Sequence, residues 1–177
     1  EGIKVTFRYA GHILGAAILD ITVAENGKPT RVVFSGDLGR PGALLLPDAE
    51  IPASPDWLFV ESTYGDRSHG DTEPDYVGNL TRILQDTFDR GGNVVIPSFA
   101  VGRTQEMLYF IREILERNMV SYKDFDVYVD SPLADEATAI FEENVFGYYD
   151  EEAMKIIREG EHPLLFPNLI TVVDAEE

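Results

Sequence analysis

Hydrophobic residues in the first third of the chain either alternate with polar residues or form short continuous runs, a pattern typical of β-strands. The runs that predict strands cover 3–9, 17–23 and 30–34. Between the last two, residues 25–28 have the sequence Glu-Asn-Gly-Lys, which favours a tight hairpin turn. Another apolar run, 57–60, follows a proline-rich loop over 47–55. This part of the chain therefore predicts a β-sheet with turns.

From about residue 64 the pattern changes, because helical periods now alternate with short apolar runs, as in α/β folds with a parallel sheet. Apolar residues at helical spacing predict a helix over 77–88, and a buried strand is expected over 94–96. The next helix is predicted by an apolar face, which consists of Met107, Phe110, Ile111, Ile114 and Leu115. A strand over 127–129, a helix over 132–141 and a helix over 151–158 complete the expected elements.

These two patterns predict an α/β chain with two domains. The change of pattern places the boundary near 64–70, so the expected domains are a β-rich one over 1–64 and a parallel-sheet one over 65–177. The chain has 177 residues, of which 44% are hydrophobic, and can therefore bury a core.

Composition narrows the classes of protein that remain. Cysteine is absent, which excludes disulfides and thiolate metal sites. No apolar run approaches the roughly 20 residues of a membrane helix, and we expect a soluble protein without membrane contact, with the cytoplasm as its default location. The net charge of −18 would repel a phosphate backbone at long range. Bound metal ions or a locally basic cleft would offset that repulsion, so a nucleic-acid substrate is not excluded.

Polar residues stand where three of the predicted strands end. His12 and Asp37 each lie between glycines, and Glu61 directly follows the run 57–60. Histidine is a common metal ligand, and a carboxylate can bridge two divalent ions that activate water for attack on a phosphate. Plainer interpretations are a loop histidine, an aspartate turn, and a cap next to Glu61. Because consecutive strands can bring their ends together, the three residues point to one site.

Two turns in the second half could hold anions. In the turn 96–103, backbone N–H groups before the next helix and the guanidinium of Arg103 suit a phosphate, with Ser98 beside them. Ser131, which precedes Pro132, is placed to do the same or simply to cap a helix. If both turns follow parallel strands, they open on the same sheet edge, where α/β folds bind ligands. For Arg103 the alternative is a surface salt bridge.

Five motifs follow one another along nearly the whole chain: AGHILG, FSGDLGRP, VESTYGDRSH, GGNVVIPSFAVGRTQE and VYVDSPLA. In this order they resemble the metallo-β-lactamase-fold nucleases with a β-CASP insertion. That family includes the endonuclease subunit of the cleavage and polyadenylation machinery, and ribonuclease J. The resemblance implies part of a metallo-β-lactamase sheet joined to a β-CASP parallel-sheet domain. It also implies a ribonuclease that uses two Zn²⁺ ions and cleaves single-stranded RNA.

The resemblance assigns roles to the candidate residues. His12 looks like the metal-binding histidine of the family's third motif, and Asp37 like the aspartate that bridges both zinc ions. Glu61 looks like an acidic residue that orients a later histidine and does not itself bind zinc. All three would serve catalysis. Contact with the RNA backbone is expected from Ser98, Arg103 and Ser131.

The resemblance also implies that this chain is a fragment whose site is incomplete. A His-x-His-x-Asp-His signature is expected before it and two histidines after it, whereas the chain has only His12, His69 and His162, and the last two receive no role. We therefore expect the fragment alone to be inactive. An unpaired sheet edge would favour homo-oligomers. Two alternatives remain open: a DNA-processing relative, and an inactive subunit that binds RNA or a protein.

Overall fold

The computed structural model describes residues 2–67, 74–122, 124–143 and 147–172. The chain divides into two compact units. The first comprises Glu1–His69 together with Tyr148–Asp150, and the second comprises Gly70–Gly147 together with Glu151–Glu177. The division falls close to the change of sequence pattern, but the sequence did not predict that a short later segment joins the first unit. The division into a metallo-β-lactamase-like and a β-CASP domain stays a prediction.

The first unit contains a four-stranded sheet in the order β1-β2-β3-β4. Its strands are β1 (Gly2–Tyr9), β2 (Ala17–Glu25), β3 (Lys28–Phe34) and β4 (Trp57–Phe59). β1 and β3 are antiparallel to β2, while β4 is parallel to β3. The hairpin between β2 and β3 turns at Asn26 and Gly27, whose φ angles of 50° and 77° are those that its asparagine-glycine pair favours. All four strands confirm the predictions.

One face of this sheet covers a small core and also contains a charged network. Ile18 and Val33 are buried there with Ala10. The carboxylate of Asp20, a residue that is only 5% exposed, accepts hydrogen bonds from the guanidinium groups of Arg8, at 2.8 Å, and Arg31, at 2.7 Å. These bonds compensate for burial of the charge and lower the pKa of Asp20 well below its ordinary range, chiefly through Arg31.

The opposite face of the sheet is apolar and open within the first unit. Strand register places alternate side chains of all four strands on this face, because paired residues share a face. The exposed members of this face are Ile3, Val5, Phe7, Phe34, Trp57 and Phe59. The rings of Phe34 and Phe59 stack at 4.7 Å between centroids.

The second unit consists mainly of helices. They are α1 (Tyr76–Phe88), α2 (Arg103–Glu116), α3 (Pro132–Glu143) and α4 (Glu151–Arg158). Asp75 is the N-cap of α1, and its side chain accepts a hydrogen bond from the Gly78 N–H at 2.8 Å. α2 buries Phe110, Ile111 and Ile114 of its predicted face. Leu84 of α1 packs in a cluster with Ile114 and Val120.

Two short strands, β5 (Val127–Val129) and β6 (Leu169–Thr171), pair in parallel in this unit. The predicted strand over 94–96 is wrong, since these residues belong to no strand and the side chain of Val95 is 87% exposed. An apolar run forms a strand only if another strand pairs with it, and no such partner lies beside this segment in the described residues. The coarser expectation of a mixed α/β chain is confirmed.

Candidate functional site

Three connections of the first unit meet beside the sheet: the loop between β1 and β2, the segment after β3, and the segment after β4. The Gly39 N–H donates a hydrogen bond to the Ala10 carbonyl oxygen at 2.8 Å. A Cβ atom at Gly39 would lie 1.7 Å from the Gly11 oxygen and 2.7 Å from the His12 nitrogen. Only glycine permits this approach, because the obstructing atoms are backbone. The backbone that bears His12 therefore lies against the segment that bears Asp37.

Glu61 joins the third connection to the second. Its Oε1 accepts a hydrogen bond from the Leu38 N–H at 2.5 Å. That bond, a side-chain hydrogen bond from Thr63 and the charge of His12 lower the pKa of Glu61, while burial opposes them. A carboxylate held in this way stays ionised at neutral pH. Since its oxygens already accept hydrogen bonds, Glu61 is better suited to orienting neighbours than to binding an ion.

Ser35 fixes the start of both segments, although the sequence did not mark it as a site residue. This buried residue donates its N–H to the Phe59 oxygen at 2.9 Å and its hydroxyl to the Gly36 oxygen at 2.6 Å. The same hydroxyl accepts the Glu61 N–H at 3.0 Å. A serine before Gly-Asp at a strand end was the available signal. Its role could not be inferred, because its partners are far away in sequence.

His12 and Asp37 are both exposed on these loops. Imidazole and carboxylate are ordinary zinc ligands, so the two donors fit part of such a site. Within residues 2–67, 74–122, 124–143 and 147–172, no group of three or more potential ligands is close enough to hold a metal. The metal-binding roles of His12 and Asp37, and the catalytic role of Glu61, stay predictions.

Two of the three predicted anion-binding residues of the second unit, Ser131 and Arg103, have partners within this unit. Ser131 caps α3, since its hydroxyl accepts the Ala134 N–H at 3.2 Å, which was one of its two interpretations. Arg103 forms an exposed salt bridge with Glu106 at 2.6 Å. Ser98 is exposed in a segment that follows no strand, so it does not lie at the expected sheet edge. Contact of these residues with phosphate stays a prediction.

Gln105 shapes the turn that precedes α2, and it too was missed. Its fully buried side chain accepts the Gly102 N–H at 2.7 Å and donates to the Ala100 oxygen at 3.1 Å and the Thr138 hydroxyl at 2.9 Å. The turn before α2 is thus tied to α3. A glutamine at the third helical position is a known capping signal that could have indicated the bond to Gly102.

Of the two remaining histidines, His69 lies outside the described residues. His162 uses its Nδ1 to accept hydrogen bonds from the N–H groups of Leu164 and Leu165, both at 3.2 Å.

None of the described helices is long and apolar enough to cross a membrane.

Comparison with known proteins gives the chain its relatives. Residues 104–177 match the family model described as the Beta-Casp domain. Ribonuclease TTHA0252 of Thermus thermophilus is 34% identical over 161 residues, which cover 91% of this chain and 35% of the relative. Endoribonuclease YSH1 of Saccharomyces cerevisiae is 32% identical over 182 residues, which cover 100% of this chain and 22% of the relative.

A third relative is the cleavage and polyadenylation specificity factor 73 of Drosophila melanogaster, 34% identical over 142 residues that cover 80% of this chain and 20% of the relative. The chain thus spans about a third or less of the length of these curated relatives. The family match and the relatives agree with the resemblance of the five motifs. Residues 104–177 therefore carry a match to the Beta-Casp domain, and nearly the whole chain is similar to a segment of these ribonucleases.

Proposed function

We propose that this chain is part of a zinc-dependent ribonuclease that cleaves single-stranded RNA, with His12 and Asp37 among its zinc ligands. The Beta-Casp match and the similarity to these ribonucleases imply dependence on a metal, and zinc is the specific part of this proposal. The observation that supports it most is the contact between the loop of His12 and the segment of Asp37 at Gly39. It keeps an imidazole and a carboxylate on neighbouring pieces of backbone.

The donor types in this arrangement suit zinc chemistry. Zinc accepts both nitrogen and oxygen ligands, and an aspartate can bridge two ions. Bound zinc would supply a water of lowered pKa and would offset negative charge on the phosphate. The contribution of the chain itself is to hold His12 and Asp37 near one another before any ion binds, which reduces the entropy lost on binding.

Glu61 is proposed as a positioning residue. Its carboxylate receives the Leu38 N–H, next to Asp37, and lies within electrostatic reach of His12. It can therefore fix the segment that presents Asp37. It can also accept a hydrogen bond from a ring N–H of a histidine. Arg103, Ser98 and Ser131 are proposed contacts for the RNA backbone. A phosphate would have to compete with Glu106 for Arg103.

One observation favours a second candidate, a subunit that binds a protein or RNA without cutting it. The net charge of −18 weakens the attraction of any phosphate backbone. A ribonuclease should need His12 and Asp37 both to bind metal and to cleave RNA. A binding subunit should not cleave RNA at all. A DNA-processing relative is a third option, which the same assay tests through its choice of substrate.

The experiment is cleavage of labelled single-stranded RNA, and of DNA of the same sequence, by the full-length protein that contains this chain. Asp37→Asn and His12→Ala should each abolish RNA cleavage, since each removes a proposed ligand. Asp86→Asn, an exposed change of the same kind on α1, should leave the rate unchanged. An unaltered rate in Asp37→Asn, or faster cleavage of DNA than of RNA, would refute the proposal.

We also propose that the chain forms homo-oligomers through its first unit. β1 and β4 are the edges of the four-stranded sheet, and both expose apolar side chains. Unpaired edges and large apolar faces favour association with another copy.

Location in the cytoplasm stays a prediction from composition.

A further inference from the structure

One cavity in the second unit is not explained by the proposed metal site or by the proposed phosphate contacts. Its volume is about 460 Å³, within the range of small ligand sites. It lies among residues of α2, the segment that follows α2, and the loop between α4 and β6. Apolar side chains form part of its lining, from Val120, Leu165, Phe166 and Pro167.

Arg112 contributes a buried charge to the cavity wall. Its side chain is 6% exposed and pairs with Glu116, and with Glu161 at 3.8 Å. The guanidinium also lies 5.3 Å from the centroid of the Tyr109 ring. Its buried Nε has no hydrogen-bond partner among the described residues. A buried N–H without an acceptor is costly, so a bound group whose oxygen reached this N–H would stabilise the side chain.

Glu116 and Glu161 line the same cavity and are far more exposed than Arg112. A hydrogen bond between their carboxyl groups raises the pKa of Glu161, with further contributions from the charge of Glu116 and from burial. Both carboxyl groups lie beside one guanidinium, and Asp124 adds another acid to the lining. The described side chains of the cavity carry more negative than positive charge, which suits a cation.

His162 supplies a second donor. Because its Nδ1 accepts the N–H groups of Leu164 and Leu165, the proton of the neutral ring is on Nε2. Burial, together with the charge of Arg112, lowers the pKa of His162 and favours that neutral form. The lining thus offers donors from Arg112 and His162, acceptors from Glu116 and Glu161, and an apolar surface.

We propose that this cavity binds a short basic peptide segment of a partner protein. A lysine or arginine side chain would lie between Glu116 and Glu161. A backbone carbonyl oxygen of the peptide would accept from Arg112, and an apolar side chain would pack on Leu165 and Phe166. A peptide supplies all three kinds of group at once, whereas an RNA strand would bring phosphates to an acidic rim.

The test is fluorescence anisotropy with the full-length protein and two labelled short peptides. In one, lysine alternates with leucine, and in the other glutamate replaces every lysine. At about 0.15 M ionic strength, where long-range attraction is screened, the lysine peptide should bind saturably and the glutamate peptide should not. The double variant Glu116→Gln, Glu161→Gln should weaken binding roughly tenfold or more, because a paired charge at an interface loses its partner.

Two further variants separate this site from general attraction to an acidic protein. Leu165→Ser removes apolar lining without changing charge and should also weaken binding. Glu152→Gln, an exposed change on α4 outside the lining, should leave the affinity unchanged. The proposal fails if Glu152→Gln weakens binding as much as the double variant, or if the double variant and Leu165→Ser both bind normally. Displacement of the peptide by single-stranded RNA would also overturn it, in favour of a nucleic-acid site.

Discussion

The replacement Asp20→Asn should destabilise the first unit strongly, because it removes a buried charge that two arginine side chains share. Asp20 is buried and accepts hydrogen bonds from both Arg8 and Arg31. Removing one member of a buried ion pair costs about 3–5 kcal/mol, and an exposed pair contributes about 0.2–1 kcal/mol. The arginine side chains are 33% and 30% exposed, so water can partly solvate them after the change. We therefore expect a loss of about 2–3 kcal/mol.

Urea unfolding followed by tryptophan fluorescence measures this loss in the first unit. Trp57 is the one tryptophan of the sequence and lies in β4, so its signal reports on the sheet that contains Asp20. Glu50→Gln is the matched control, because Glu50 contacts the same Arg8 at 3.8 Å but its side chain is 50% exposed. That variant should lose less than about 1 kcal/mol.

The pH dependence provides a second check. The folded pKa of Asp20 lies below its ordinary value of 3.8, so the ionised carboxylate stabilises the fold above about pH 4. This stabilisation is lost as the pH falls from there towards the folded pKa, and the difference between the original protein and Asp20→Asn should shrink over that range. If Asp20→Asn and Glu50→Gln lose equal free energy of unfolding at pH 7, the buried network does not stabilise the first unit more than the exposed ion pair does.

The remaining predictions concern other parts of the chain. Gly39→Ala should destabilise the first unit by about 1–3 kcal/mol or more in the same urea assay, because its Cβ would overlap backbone, and an unchanged midpoint would contradict the close approach of the loops. Ser131→Ala should lower the stability of the second unit by about 1 kcal/mol through loss of the cap of α3, measured by thermal unfolding with circular dichroism, and no change would mean that the cap is not formed. Phe7→Lys should reduce self-association in light scattering by placing a charge on the open sheet face, whereas a monomeric original protein would exclude that mode of association.

Local sequence signals predicted the elements that depend on local physics. The asparagine-glycine pair gives the turn between β2 and β3, and Ser131 followed by proline gives the start of α3. The glycines beside His12 and Asp37 also indicated unusual backbone. Each signal acts within a few residues, so it can be read without knowing what packs nearby.

The features that were missed depend on contacts between distant residues. Residues 94–96 look like a strand, but strand formation requires a partner that the run itself does not encode. Ser35 and Gln105 act through hydrogen bonds to Phe59 and Thr138, far from them in sequence. For the same reason, nothing local indicated that Tyr148–Asp150 would join the first unit, where the Asp150 N–H donates to the Leu45 oxygen at 2.9 Å.

The most direct test of the proposed zinc ribonuclease is the metal content of the full-length protein. It is measured by elemental mass spectrometry for the original protein, for His12→Ala and for Asp37→Asn. We expect about two zinc ions per protein, and a clear loss of zinc in both variants while Asp86→Asn retains it. Full zinc content in both variants would contradict the assignment of His12 and Asp37 as ligands. A protein that binds no zinc would leave the non-catalytic binding subunit as the better interpretation.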